Sequence, residues 1–180
     1  MMAEQTIRAP DKNTLRNAAE MRFATLVVAA GLVIGLRYYF ELWVFEPNGL
    51  SRLSDRLPYW DFTNLWAGAR MAVDGHVDWL FDMTEYRRAL REMFHPDLPN
   101  QEWSYPPSIL LFGVPLTLLP IFWAYMVWTV GTIALFRWSL SSLSMSSAAR
   151  WAIALSPAVV TSAIFGQNGA LTAALMISSL

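Results

Sequence analysis

The sequence predicts an all-α chain that crosses a membrane more than once and gathers its polar chemistry into one large loop. Three observations carry this. Of 180 residues, 55% are hydrophobic and only 15% charged, where soluble domains sit near a quarter charged. The acids are concentrated: all but Glu4, Asp11, Glu20 and Glu41 fall between Glu46 and Glu102, together with His76 and His95. After Glu102 there is no acid, and the only bases are Arg137 and Arg150. A long acid-free apolar stretch beside a compact polar one is the pattern of membrane segments flanking a loop. The absence of cysteine excludes disulfides, thiolate catalysis and thiol metal sites. A net charge of −1 gives no general attraction to nucleic acid.

Residues 1–22 are polar, with Arg8, Lys12, Arg16 and Arg22 ahead of the first apolar run, and are read as a cytoplasmic tail. Residues 23–45 form the first expected span, long enough as a helix to cross ~30 Å of hydrocarbon. The run is longer than the core of a signal peptide and has no Ala-x-Ala-like exit. Positive residues before it place the N-terminus inside. Its outer end, Arg37-Tyr-Tyr-Phe-Glu41-Leu-Trp43, has the aromatic character of an interface, with Arg37 and Glu41 spaced to pair on a helix.

Residues 46–106 form the large loop, expected outside. Its arginines (52, 56, 70, 87, 88 and 91) do not overrule that placement, because long loops translocate largely regardless of charge. A helix is expected from Phe62 to Val73, after Pro58-Tyr-Trp-Asp61. Asp82-x-x-Glu85 resembles a capping box. The helix after it, to about Phe94, puts Met83, Tyr86, Leu90, Met93 and Phe94 on one face and Arg87, Arg88, Arg91 and Glu92 on the other. That amphipathic pattern beside two spans predicts a helix lying in the interface, and Pro96 ends it. His76 reads as a turn residue and His95 as a helix C-terminal cap.

From Pro106 to Phe136 the chain is apolar and too long for one simple span. Pro115 and Pro120 divide it into a short dipping or juxtamembrane helix, 107–119, and the core of the next span, 121–136; the alternative is two complete spans with a turn at Pro120. Residues 137–150 make a short loop, inside by the same rule. Residues 151–165 return outward, Gly166-Gln-Asn-Gly169 is a polar break, and 170–180 begin another apolar run. That run is too short for a span at Leu180, so the chain reads as the amino-terminal part of a larger polytopic protein.

Taken in order, Asp61-Phe62, Leu65-Trp66-Ala67, Trp79-Leu80-Phe81-Asp82, Tyr105-Pro106-Pro107, Pro115-Leu-Thr-Leu-Leu-Pro120 and Gly166-Gln167-Asn168 resemble the pattern of glycosyltransferase family 87, also known as the DUF2029 family. The resemblance runs over about residues 20–180. It implies a GT-C-type membrane fold and transfer of a hexose, typically mannose, from a polyprenyl-phosphate donor to a lipid or glycan acceptor at the outer face of the plasma membrane. Asp61 matches the acid of the first extracytoplasmic loop and would be the base. A sugar hydroxyl is a poor nucleophile, and a carboxylate in hydrogen-bond reach can take its proton during attack. The competing reading is that Asp61 only caps the helix beginning at Phe62.

The same resemblance groups Asp82, Tyr105, Gln167 and Asn168 with substrate binding. The amides of Gln167 and Asn168 suit sugar hydroxyls, or else make a polar turn between spans. Asp82 can equally be a helix cap, and Tyr105-Pro-Pro an element that fixes chain direction. Arg37, Arg87 and Arg88 are candidates for the donor phosphate, because guanidinium presents paired donors to phosphate; Arg91 shares that face. Against this, Arg37 can snorkel or pair with Glu41, and the loop arginines can meet lipid headgroups. Asp61 and Asp82 lack the tight spacing of a metal site, and no cofactor is expected. Inversion at the anomeric carbon is expected, since no second carboxylate stands out as a nucleophile. A transporter or flippase, or a non-catalytic membrane assembly subunit, are the other readings; a transporter would hold its ionisable groups near the bilayer midplane rather than in an external loop.

Overall fold

The computed structural model describes residues 12–179; residues 1–11 of the expected tail, with Arg8, lie outside them. The described residues are helical apart from loops and one isolated bridge between Phe45 and Ser51. The chain divides into two compact units, Met1–Arg37 and Tyr38–Leu180.

The first unit is described by the leading part of α1 (Lys12–Leu42), whose last turn belongs to the second. The helix starts inside the stretch read as a polar tail. Its segment Thr25–Leu42 is long and apolar enough to cross a membrane. Leu26, Val33 and Ile34 are exposed, which water penalises and hydrocarbon does not.

The second unit is built around α2 (Trp60–Val73). It starts two residues earlier than its hydrophobic pattern indicates, and it is buried along most of its length, from Phe62 to Met71. One side meets α3 (Met83–Met93) and the short 3₁₀ turn Val77–Phe81 through Ala67, Met71, Leu80, Tyr86, Ala89 and Leu90. The apolar face of α3, expected to lie on lipid, thus finds its partner within the protein; only Met83 at its start remains well exposed. A buried polar network fixes this packing. The Tyr86 hydroxyl donates to Asn64 Oδ1, and Asn64 Nδ2 donates to the Glu102 carbonyl at 2.9 Å and to Ser104 Oγ at 3.2 Å. Burial drives the Tyr86 phenol pKa well above its ordinary value, so the hydroxyl keeps the proton it donates.

After Pro106, whose ψ of 146° is extended, a 3₁₀ turn leads into α4 (Leu110–Leu116). Seven residues cannot span a bilayer as a helix. Gly113 lets α4 lie against α2: a Cβ there would meet Ala69 Cβ at 2.9 Å. The helix end leaves carbonyls without intrahelical partners, and Trp66 Nε1 of α2 donates to those of Leu116 and Leu119, each at 3.3 Å.

The second candidate span begins with α5 (Ile121–Ser139) and runs to Ser142. The return segment is bent. α6 (Ser147–Ala154) and α7 (Pro157–Phe165) meet at 45°. Pro157 is the cause, because it stands at a helix start and cannot continue the hydrogen-bond ladder of α6. α8 (Gly169–Ser178) packs on α5 with Ala170, Leu171 and Ala174 buried; small residues let the two backbones approach. The described residues thus hold two helices able to cross a membrane, or three if the bent pair is one span.

The turn between α7 and α8 locks these pieces to α2. Gly166 is left-handed, with φ 69°, a conformation that only glycine adopts without strain. A Cβ on it would stand 2.4 Å from Phe62 Cβ and 3.3 Å from Tyr125 Cδ2. Its carbonyl accepts from Trp128 Nε1 at 3.0 Å, while the Tyr125 hydroxyl donates to the carbonyls of Ala163 (3.2 Å) and Ile164 (3.0 Å).

Three outcomes follow for stability. Tyr86→Phe strips the buried Asn64 acceptor of its donor and is expected to cost about 1–2 kcal/mol in unfolding titrations in detergent. Gly166→Ala adds left-handed strain and a clash with α2, and is expected to cost roughly 2–5 kcal/mol. Gly131→Ala on α5, with nothing within 4 Å of the added Cβ, should be neutral or slightly stabilising in the same titration.

Candidate functional site

The start of α2 and the α7–α8 turn converge on one carboxylate. Asp61 sits in the first turn of α2, where the N-terminal helix dipole favours an anion. It does not cap the helix: the cap position is Tyr59, with no side-chain cap bond. The carboxylate instead receives a hydrogen bond at its Oδ2 from Gln167 Nε2, at 2.8 Å across 106 residues of sequence. Oδ1 accepts from none of the described residues. Asp61 is half-buried and Gln167 exposed, so the pair lies at a surface that a substrate can reach. The positioned carboxylate has one oxygen engaged and one open, as a proton acceptor needs.

Beneath the pair is an aromatic floor. Tyr59 stacks on Tyr125 with centroids 5.0 Å apart, and Phe62 meets the same ring edge-on at 5.8 Å. Tyr105 reaches the site from the far end of the loop and donates its hydroxyl to the Asp61 carbonyl at 3.3 Å. Burial first, and then the negative charge of Asp61, push the Tyr105 phenol up to about 12. It is therefore neutral and a donor throughout the physiological range. Asn168 stands beside Gln167 at the start of α8 without a capping bond; its side chain is half-buried at the same turn.

The remaining sequence candidates are placed differently. Asp82 is a helix cap: its Oδ1 accepts from the amides of Thr84 (2.8 Å) and Glu85 (3.2 Å). The box is not reciprocal, since Glu85 turns to Arg88. The arginines of α3 are engaged. Arg87 pairs with Glu102, Arg88 with Glu85 and Glu92, and Arg91 with Asn100. The Arg88 pKa is raised above its ordinary value, chiefly by the hydrogen bond to Glu85. Arg37 lies on α1 at the end of the first unit. His95 makes a local turn, accepting from the Asp97 amide at 3.1 Å, and His76 stacks on Trp79 at 3.9 Å. Among the described residues no group of three His, Asp or Glu could hold a metal ion.

Beside Tyr105 opens a cleft of about 480 Å³ lined by Phe81, Met83, Tyr86, Glu102, Trp103 and Ser104 among others. Trp103 lies flat on α2 because Gly68 has no Cβ; one would overlap the ring, 2.1 Å from its Cζ3. The indole Nε1 is buried without a partner. Aromatic walls with polar groups such as Ser104 and Glu102, the latter paired with Arg87, suit a polyhydroxylated ligand. Residue-by-residue reading passed over Trp103, Glu102 and Asn64. The signal open to it was the run Glu102-Trp-Ser-Tyr105, polar and aromatic residues directly before the paired prolines.

Searches among curated proteins and among solved structures found no match. The model of glycosyltransferase family 87 matches residues 103–180. That stretch contains Tyr105, the paired prolines and Gly166-Gln167-Asn168; Asp61 lies ahead of it and is joined to it by the hydrogen bond from Gln167. Over residues 103–180 the chain is therefore similar to glycosyltransferase family 87, and among the described residues two helices, or three if the bent pair is one, are long and apolar enough to cross a membrane.

Proposed function

We propose that the chain belongs to a GT-C-type enzyme that transfers a hexose, mannose first among the candidates, from a polyprenyl-phosphate carrier to a lipid or glycan acceptor. The single observation that carries this reading is the hydrogen bond between Asp61 and Gln167. It joins the acid of the loop to an amide inside the family-matched stretch.

In this reading Asp61 is the base. As the acceptor hydroxyl oxygen attacks the anomeric carbon, its proton passes to the carboxylate. The bond from that carbon to the phosphate oxygen breaks, and the electron pair leaves with the polyprenyl phosphate. That leaving group is already a stable anion, so one base suffices and no strong acid is needed. Gln167 holds one carboxylate oxygen and leaves the other for the hydroxyl. Asn168 and the Tyr105 cleft are the proposed contacts for sugar hydroxyls. The other carboxylate near the cleft, Glu102, is paired with Arg87, so Asp61 acts alone as base and the reaction inverts the anomeric centre. The loop stands on the outer face of the plasma membrane, where lipid-linked donors are consumed.

Two measurements test this. In the full-length protein, Asp61→Asn is expected to lower sugar transfer by about 10²–10⁴-fold with expression and membrane insertion unchanged; full transfer would refute the base. Because the sequence has no cysteine, a single cysteine at the exposed Asp78 or Asp97 reports topology cleanly. Reaction with an impermeant maleimide in intact cells is expected; protection there, relieved by opening the cytosolic side, would put base and donor on opposite sides of the bilayer.

A further inference from the structure

Arg56 differs from most of the other loop arginines. No carboxylate among the described residues lies within ion-pairing distance of it, whereas Arg52, Arg70, Arg87 and Arg88 each have one; Arg91 also lacks one but donates to Asn100 Oδ1 and the Leu98 carbonyl. Its guanidinium sits over the Trp60 ring at 4.2 Å from the centroid, a contact that orients the group without neutralising its charge. Half-buried beside an indole, such a cation is costly to leave without an anion.

The backbone is bent to put it there. Asp55 has φ 54°, a left-handed conformation that a non-glycine residue adopts at a cost and that tends to mark functional turns. The turn is closed by hydrogen bonds from the Ser51 amide to the Arg56 carbonyl and from the Asp55 amide to the Ser51 carbonyl, both at 2.8 Å. Ser51 is fully buried, so the turn is anchored rather than loose.

Arg56 and Trp60 line a cavity of about 240 Å³ whose other walls include Ser54, Leu42, Leu57 and Phe165. The Ser54 hydroxyl is buried and has no partner. The cavity thus sets a guanidinium without an acid partner and a spare Ser54 hydroxyl beside Leu42, Leu57 and Phe165, with the Tyr38 phenol also on its wall. Two of its walls, Trp60 and Phe165, lie one and two residues along the chain from Asp61 and Gln167.

We propose that Arg56, seated on Trp60, binds the phosphate of a long-chain lipid phosphate whose apolar chain leaves along the Leu42, Leu57 and Phe165 wall. Guanidinium gives a phosphate two parallel, charge-assisted hydrogen bonds. The phosphate would arrive on the anomeric side of a sugar presented to Asp61. Identifying that lipid as the sugar carrier rests on the transferase reading; the same chemistry would also hold the headgroup of an ordinary anionic phospholipid.

The test uses the full-length protein in phosphatidylcholine nanodiscs with undecaprenyl phosphate as ligand. Arg56→Gln is expected to weaken binding about tenfold or more. Arg56→Lys, which keeps the charge but loses the paired geometry, should fall between the two and shows that the Gln variant has lost a cation rather than its fold. Excess phosphatidylglycerol should displace the ligand poorly. Unchanged affinity in Arg56→Gln overturns the assignment, and displacement by phosphatidylglycerol at equal concentration reassigns the site to bulk headgroups. The two readings fail separately. Binding through Arg56 without any sugar transfer removes the transferase and keeps the subsite; transfer with unaltered affinity in Arg56→Gln does the reverse.

Discussion

At Gly166 the backbone lies so close to α2 that any Cβ would overlap Phe62, and the rest of the site depends on that approach. Phe62 is wholly buried, and the two indole and phenol donors of α5 hold the turn from the other side. Each hydrogen bond is worth only about 1 kcal/mol. The constraint comes from their joint geometry, since close-packed interiors leave no room for a second arrangement. With the turn fixed, Gln167 has nowhere to present its amide but the mouth of α2, and Asp61 meets it there.

α2 is the second requirement, because it is packed on two sides with different chemistry. Toward α5 it shows Phe62 and Leu65, in a cluster with Tyr125 and Trp128. Toward α3 it shows Ala67 and Met71, in a cluster with Tyr86 and Leu90. The helix therefore ties the loop to the apolar helices, and its N-terminus, with Asp61, stands where they join. The buried Asn64 network is the polar counterpart. It is fully partnered through Tyr86, Glu102 and Ser104, as a polar group at that depth requires.

The charges of the loop sort into two kinds once the fold is known. Arg87, Arg88 and Arg91 sit on an exposed helix face and satisfy themselves with neighbouring acids, an amide and a carbonyl. Such exposed pairs contribute little stability, and they leave little of the charge for a ligand. Arg56 has an indole instead of an acid. The same residue type thus does different work according to what packs beside it, and a count of arginines in the loop conceals the difference.

The sequence by itself determined whatever depends on near neighbours along the chain. Hydropathy located the two long apolar helices; Pro115, Pro120 and the Tyr105-Pro-Pro step divided the apolar stretch; Asp82 marked the start of α3. Spacing also gave the amphipathic face of α3, but not what covers it, because the period that creates the face carries no information about its partner. Only the tertiary structure decided that this partner is α2, that α6 and α7 meet at a bend, that Asp61 is held by an amide rather than spent as a cap, and that Arg56 rests on an indole instead of an acid. Asp61 and Gln167 lie 106 residues apart, and their meeting is set by how α2, α5 and the Gly166 turn pack, which no local pattern of residues encodes.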